Sequence, residues 1–231
     1  MLSAIAIVPS APVMVPELAS TAAAELTELR AAVDTATVAL PPRWVAVGVG
    51  AADAVIGPDQ TGTFAGYGVD VKVALSPRPA GAYPADLPEL PLCALITGWL
   101  RGRVDPGARA EVRVFADSHD ADAAVDAGRR LRAEIDEAAD PVGVMVVADG
   151  LNTLTPPAPG GYDPDSVPVQ AALDDALAAG DSAALTRLSR AVVGRVAYQV
   201  LAGLAEHPRS VKELYRGAPH GVGYFVGVWQ P

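Results

Sequence analysis

Short apolar runs alternate along this chain with stretches in which apolar residues recur every three or four positions. The short runs are rich in β-branched residues and are typical of buried strands: they cover residues 4–8, 44–49, 112–115 and 142–147. The longer stretches have the 3.6-residue period of amphipathic helices: they cover residues 20–33, 120–138 and 182–205. We expect the last of these to be the longest helix.

The order of these elements predicts the fold class. A strand, a helix and a strand follow one another over residues 112–147, an arrangement that favours parallel pairing and a right-handed crossover. Residues 69–73 alternate as an edge or antiparallel strand does, residues 76–91 contain five prolines and form a loop, and residues 221–228 form the last strand. We therefore expect a single α/β domain over residues 1–231, a mixed sheet with helices on its faces.

Composition and charge exclude several classes of partner. Half of the 231 residues (51%) are apolar, as in globular proteins, and the net charge of −10 argues against binding to nucleic acid or an anionic membrane. No apolar stretch approaches the ~18 residues that a membrane span needs, and the apolar start lacks the basic residues of a signal peptide. We expect a cytoplasmic protein with no nucleic acid or membrane partner.

Two motifs suggest chemistry that their surroundings do not support. Gly48-x-Gly50-x-x-Asp53 resembles part of a dinucleotide-binding motif but lacks its third glycine, which favours a sharp turn after a strand. Residues 117–122 (DSHDAD) are rich in potential metal ligands but lack the glycine and glutamate of a calcium-binding loop. They precede a predicted helix, so helix capping is favoured.

The single cysteine, Cys93, lies in an apolar run and is expected to be buried and unreactive.

Three further stretches carry a family resemblance. Residues 8–17 (VPSAPVMVPE) are similar to a Pro-His-x-Pro opening followed by apolar residues and Pro-Glu. Residues 148–164 (ADGLNTLTPPAPGGYDP) resemble Gly-Asp-Leu-Ser-His-Arg-Leu-Thr-Pro-x-Ala-Pro-x-Gly-Tyr-Asp-Pro, and residues 218–224 (APHGVGY) resemble Gly-Pro-Phe-Gly-Val-Gly-Tyr. Together, in this order and spanning nearly the whole chain, they resemble the class III extradiol ring-cleavage dioxygenases of the protocatechuate 4,5-dioxygenase β-subunit type.

This resemblance implies an α/β sandwich that assembles as a homodimer or larger homo-oligomer. It also implies non-haem Fe(II) held by two histidines and one glutamate, with a further histidine as acid/base. In this chain Ser10 stands at the first histidine ligand, Gly50 and Ala51 at the second, Gly217 at the glutamate and Asn152 at the acid/base histidine. Serine is a poor neutral ligand, glycine offers no side chain, and an amide cannot shuttle protons. We therefore predict no metal site, no cofactor, loss of the family's Fe(II) and no catalytic residue.

The favoured hypothesis is a non-catalytic member of this fold, a pseudoenzyme. It would bind a small polar molecule or a protein partner in the former active-site cleft, lined by Ser10, Asp53, Asn152 and His220. Neutral hydrogen-bonding groups there suit a polar ligand that is uncharged or weakly anionic.

Two alternatives remain open. The chain could be an enzyme of another class, with Asp53 or His220 as a base or with a relocated metal site at Asp117, His119 and Asp122.

The second alternative is a structural or assembly subunit that keeps the fold for an interface. Trp99, Tyr83 or Tyr215 could anchor such an interface, because aromatic side chains dominate binding energy at protein contacts.

Overall fold

The computed structural model describes residues 1–19, 26–79, 81–84 and 86–231. Its strands are β1 (Leu2–Val8), β2 (Arg43–Gly50), β3 (Ala54–Ile56), β4 (Thr61–Thr63), β5 (Lys72–Ala74), β6 (Arg109–Ala116), β7 (Val142–Val147), β8 (Ser210–Gly217) and β9 (Tyr224–Gln230). Its α-helices are α1 (Pro16–Ala19), α2 (Thr27–Val38), α3 (Leu92–Val104), α4 (Ala121–Asp136), α5 (Ser166–Ala179), α6 (Ser182–Leu185) and α7 (Arg195–Leu204). Short 3-10 turns occur at Pro12–Met14, Phe64–Tyr67 and Pro219–Gly221.

Seven strands form one mixed sheet in the order β3-β6-β2-β7-β1-β9-β8. The four central strands, β6, β2, β7 and β1, are parallel, whereas β3, β9 and β8 pair antiparallel at the two sides. Strands β4 and β5 form a separate antiparallel pair. The predicted α/β class, with a mixed sheet and helices on its faces, is confirmed.

The sheet separates two hydrophobic cores. On one face, α2 and α3 pack around Trp44 and Phe64. On the other, α4, α5 and α7 pack around Tyr198 and Trp229. Strand β7 contributes to both cores, and all six of its residues are buried, which explains its uninterrupted apolar sequence.

The prediction of one long helix over residues 182–205 is wrong. The chain forms the short helix α6, leaves the helical path, and resumes as α7 at Arg195. In the intervening segment the Val193 N–H donates to the Gly150 carbonyl (3.0 Å) and the Gly194 N–H to the Asp149 carbonyl (2.8 Å). These two N–H groups donate to carbonyls of the loop after β7 and not to carbonyls of a preceding helical turn. The helix is therefore interrupted here, although the apolar period continues through the segment.

Other boundaries shift or emerge only in three dimensions. The helix expected at 20–33 is observed as α2, and residues 20–25 lie outside the described part. The strand expected at 221–228 begins at Tyr224, and the alternating residues 69–73 contribute to β5, which is antiparallel as expected. Helices α3 and α5 and strand β8 were not predicted. In the described ranges, no helix combines the length and apolarity that crossing a bilayer would require.

Candidate functional site

The carboxyl ends of the four parallel strands define the candidate site. Ser10 follows β1, Asp53 follows β2 and Asn152 follows β7, so all three lie along one edge of the sheet. His220 precedes β9, which runs antiparallel to β1 and therefore begins at this same edge. Ligands of open α/β sheets bind outside the carboxyl ends of the strands, so this edge is the expected place for a site.

Hydrogen bonds join three of the loops at this edge. The Ser10 N–H donates to Asp149 Oδ1 at 2.7 Å, which links the loop after β1 to the loop after β7. The Gly150 N–H donates to the Gly223 carbonyl at 2.8 Å, which links the latter loop to the segment before β9. Three of the four predicted site residues therefore lie on segments that are fixed to one another.

Those three residues differ in exposure. Ser10 and Asn152 are half-buried, and His220 is exposed, as expected for a turn histidine. His220 has φ of 59°, the only positive φ of a non-glycine residue in the described part of the chain. An unfavourable backbone angle held in place by its surroundings is a feature that concentrates at functional sites.

Asp53 lies elsewhere on the edge and pairs with His119. Its Oδ1 accepts the Ala116 N–H at 2.7 Å, and its two carboxylate oxygens lie 2.8 and 3.0 Å from His119 Nε2. The Ala116 N–H and then the His119 ring lower the pKa of the Asp53 carboxyl. Strands β2 and β7 separate β6, which precedes His119, from β1, which precedes Ser10. Three of the four predicted residues therefore lie together, and the fourth, Asp53, lies apart from them and pairs with His119.

The structure adds Asp149 to the candidate site residues. It is partly exposed yet enclosed deeply enough that desolvation raises the pKa of its carboxyl to about 7, against the opposing effect of the Ser10 N–H. Its position in the sequence could have indicated a role at the site, because it lies two residues after the predicted strand 142–147 and within the stretch that carries the family resemblance.

Buried polar side chains support the loop that contains Asp149. Gln170 Oε1 accepts the Leu151 N–H at 2.8 Å, and Gln170 Nε2 donates to Asp174 Oδ1 at 2.8 Å. Burial raises the pKa of the Asp174 carboxyl to about 6. Tyr198 Oη donates to the Ala148 carbonyl at 3.0 Å. Such a connected network fixes the loop in one conformation.

The residues at the positions where the family resemblance places iron ligands do not supply the donor atoms of an iron site. A Cβ placed on Gly217 would lie 2.5 Å from Tyr215 Oη, so the tyrosine occupies the space where a glutamate side chain would begin. A Cβ on Gly50 would lie 2.7 Å from Val114 Cγ1. Ser10 supplies only a neutral hydroxyl, so none of these three positions offers the nitrogen or carboxylate donors of a non-haem iron site.

The two doubtful sequence motifs have structural explanations. The segment after Gly50 leads into β3 and not into a helix, as the missing third glycine indicated. The Asp120 carboxylate caps α4 by accepting the Ala123 N–H at 2.8 Å. No group of three His, Cys, Asp or Glu side chains within the described ranges is arranged to hold a metal ion, and Asp117, His119 and Asp122 are among the residues searched. Cys93 is buried, and desolvation raises the pKa of its thiol to about 11.

Two cavities lie away from the carboxyl edge. A groove of about 730 Å³ runs along the amino ends of β2, β6 and β7, and a cavity of about 340 Å³ lies beside the C-terminal half of α3. None of the four predicted site residues lines either one.

Comparisons with known proteins identify the fold alone. No family model matches the sequence, and no curated protein matches it. Among solved structures, the chain is similar to the uncharacterized protein JW3007 from Escherichia coli K12, with a TM-score of 0.55 and 12% sequence identity over 99% of this chain and 100% of that one. At this identity the likeness establishes a shared α/β architecture.

Proposed function

We propose that this protein binds a small polar molecule at the carboxyl edge of its sheet, without metal-dependent cleavage of an aromatic ring. The observation that carries the proposal is the packing beside Gly217, where Tyr215 Oη lies 2.5 Å from the position of an added Cβ. The glutamate that the family resemblance implies is absent, and the Tyr215 side chain stands where its first atoms would lie. A site altered in this way favours binding over the family's iron chemistry.

The groups at the edge indicate the class of ligand. The Ser10 hydroxyl and the Asn152 amide can each donate and accept hydrogen bonds without carrying charge. The Asp149 carboxyl, with its pKa raised to about 7, can be a donor or an acceptor near neutral pH. These groups suit an uncharged or weakly anionic molecule with hydroxyl or amide functions.

Chemical-shift mapping with small polar probes tests this proposal. We expect glycerol, acetamide and lactate, each titrated into ¹⁵N-labelled protein, to move the amide signals of Ser10, Leu151 and Gly223 together, because their loops are hydrogen-bonded to one another. Ser10→Ala is expected to reduce the shifts, whereas Ser3→Ala, on β1 away from its carboxyl end, is expected to leave them unchanged.

Two results would contradict the proposal. One is the absence of any shift at these three amides with every probe. The other is turnover of catechol to a ring-opened product by the Fe(II)-treated protein.

The Asp53–His119 pair favours a second candidate function, acid/base catalysis of another class. A carboxylate at one ring nitrogen fixes the imidazole and leaves the other nitrogen for proton transfer. Arg195 Nη2 holds this segment by donating to the carbonyls of Asp117 and His119, each at 2.9 Å. Hydrolysis of p-nitrophenyl acetate tests it: activity lost in His119→Gln and kept in His207→Gln supports catalysis, and equal rates in both variants exclude it.

A further inference from the structure

The cavity beside α3 concentrates positive charge in an acidic protein. Its lining includes three cations and two aromatic rings: Lys72, Tyr83, Trp99, Arg101 and Arg103. The whole chain has only 17 lysines and arginines against 27 acidic residues, so three cations around 340 Å³ form a local positive site. None of the groups proposed above to bind a ligand at the carboxyl edge lines this cavity.

Arg101 is the most unusual of these cations. Its side chain is buried, with 6% exposure, and its guanidinium is held by carbonyl oxygens: Nε donates to Ala74 (2.6 Å) and Nη1 to Pro106 (2.7 Å). Within the described ranges no carboxylate lies within 4.0 Å of it, and Nη2 has no hydrogen-bond partner. Desolvation lowers the pKa of the Arg101 guanidinium against the smaller opposing effects of Tyr83 and Asp105, so an anion at Nη2 would stabilise its charge.

The other two cations lie against aromatic rings. The Arg103 guanidinium lies 5.6 Å from the centroid of the Trp99 ring, and Lys72 Nζ lies 6.0 Å from the centroid of the Tyr83 ring. Arg103 is also paired with a carboxylate, that of Asp34, at 2.8 Å. Lys72 has only a loose contact of 3.9 Å with an exposed aspartate, so its charge remains available to a ligand.

We propose that this cavity binds a small aromatic carboxylate. The carboxylate group would meet the Arg101 Nη2 and Lys72 ammonium groups, and its flat ring would lie between the side chains of Trp99 and Tyr83. Both aromatic residues are half-exposed and can present ring surface to a ligand. The volume of about 340 Å³ is at the small end of ligand sites and suits a single ring.

Binding of benzoate tests the inference by two readouts. Trp99 is half-exposed, whereas Trp44 and Trp229 are buried, so a saturable change in tryptophan fluorescence reports on the cavity. Calorimetry then gives the affinity. Benzamide, which lacks the charge, and cyclohexanecarboxylate, which lacks the aromatic ring, are both expected to bind more weakly than benzoate.

The two lysines of the chain provide a matched pair of variants. Lys72→Gln removes a cation of the cavity and is expected to weaken benzoate binding about fivefold, as the loss of a charge-assisted contact does. Lys212→Gln, on the exposed strand β8, has the same change in charge and is expected to bind as the wild type does. Both lysines are exposed, so neither variant is expected to unfold.

Three results would overturn the inference: no saturable binding of benzoate, equal weakening in the two lysine variants, or benzamide binding as tightly as benzoate. None of these outcomes bears on the carboxyl edge, whose test uses different probes and the amides of Ser10, Leu151 and Gly223.

Discussion

Asp149 shows how one residue can couple the candidate site to pH. Desolvation raises the pKa of its carboxyl to about 7 in the folded chain, whereas an unfolded aspartate titrates near 4. The folded state therefore binds a proton more tightly than the unfolded state does. The contribution of this protonation to the free energy of unfolding is fully present below about pH 4 and is lost as pH rises through 7.

Replacing this carboxyl should flatten the pH dependence of stability. We expect the wild type to lose about 2 kcal/mol of unfolding free energy between pH 5 and 7 relative to Asp149→Asn, at about 1.4 kcal/mol per pH unit. Urea unfolding at several pH values measures the difference. Asp59→Asn, which removes a carboxylate that is 86% exposed and has only a loose ion pair with Arg109 at 3.5 Å, is the control. A parallel pair of pH profiles for Asp149→Asn and wild type would contradict the prediction.

Asp149 also marks where residue-level prediction from sequence ends. Burial of Cys93 could be predicted from the apolar run around it, and capping by Asp120 because its partner, the Ala123 N–H, is three residues away. The role of Asp149 depends on the Ser10 N–H, 139 positions away, and on the depth of the loop around it. Similarly, the contact between Tyr215 and Gly217 depends on a side-chain orientation that composition does not specify.

At the scale of elements, α4 and α7 pack through two glycines. A Cβ on Gly128 would collide with the Val200 carbonyl, and one on Gly203 would collide with the Val125 carbonyl. Backbone atoms cannot move aside as side-chain ends do, so these glycines set the close approach of the two helices.

Two helix glycines therefore give opposite predictions. Gly128→Ala is expected to destabilise the fold by about 3 kcal/mol, the upper range for overpacking a core. Gly102→Ala, in α3, meets no atom within 4 Å and is expected to stabilise the fold by up to about 1 kcal/mol through helix propensity. Thermal unfolding of both variants measures these effects. Equal stabilities of the two variants would contradict the assigned packing.

The break between α6 and α7 shows the limit of periodicity. The 3.6-residue pattern over 182–205 predicts one helix because it registers only which side chains face the core. It contains no information about the hydrogen bonds by which Val193 and Gly194 bind the loop after β7. Strands 142–147 and 112–115, by contrast, were predictable, because all six residues of the first are buried and Val112 and Val114 of the second are.

For the whole molecule, the order of elements and the apolar runs were enough to predict the α/β architecture. Which strands would be neighbours was not predictable, because β9 and β8 add to the sheet beside β1 although they come last in the chain. The charge of −10 is likewise a property of the whole chain and gives no sign of a local positive site. That site exists only because the fold places Lys72 and Arg101 around one cavity.

The oligomeric state is a prediction at this scale. The family resemblance implies a homodimer or larger assembly. The edge strand β8 carries Lys212, Glu213 and Arg216, charges that disfavour pairing of sheet edges, so we expect the helical faces to form the contact. Light scattering is expected to give at least twice the chain mass of 23.6 kDa. A monomer of 23.6 kDa at high concentration would contradict the prediction.

We propose that the carboxyl edge of the sheet holds no iron and binds a polar molecule. Anaerobic calorimetric titration of Fe(II), then Zn(II), into protein purified without chelator measures whether this edge binds metal. We predict no bound metal in the purified protein and no heat of binding, because Gly50 and Gly217 offer no side-chain ligands and Ser10 offers only a neutral hydroxyl. One equivalent of tightly bound iron at this edge would show instead that the site is a metal centre.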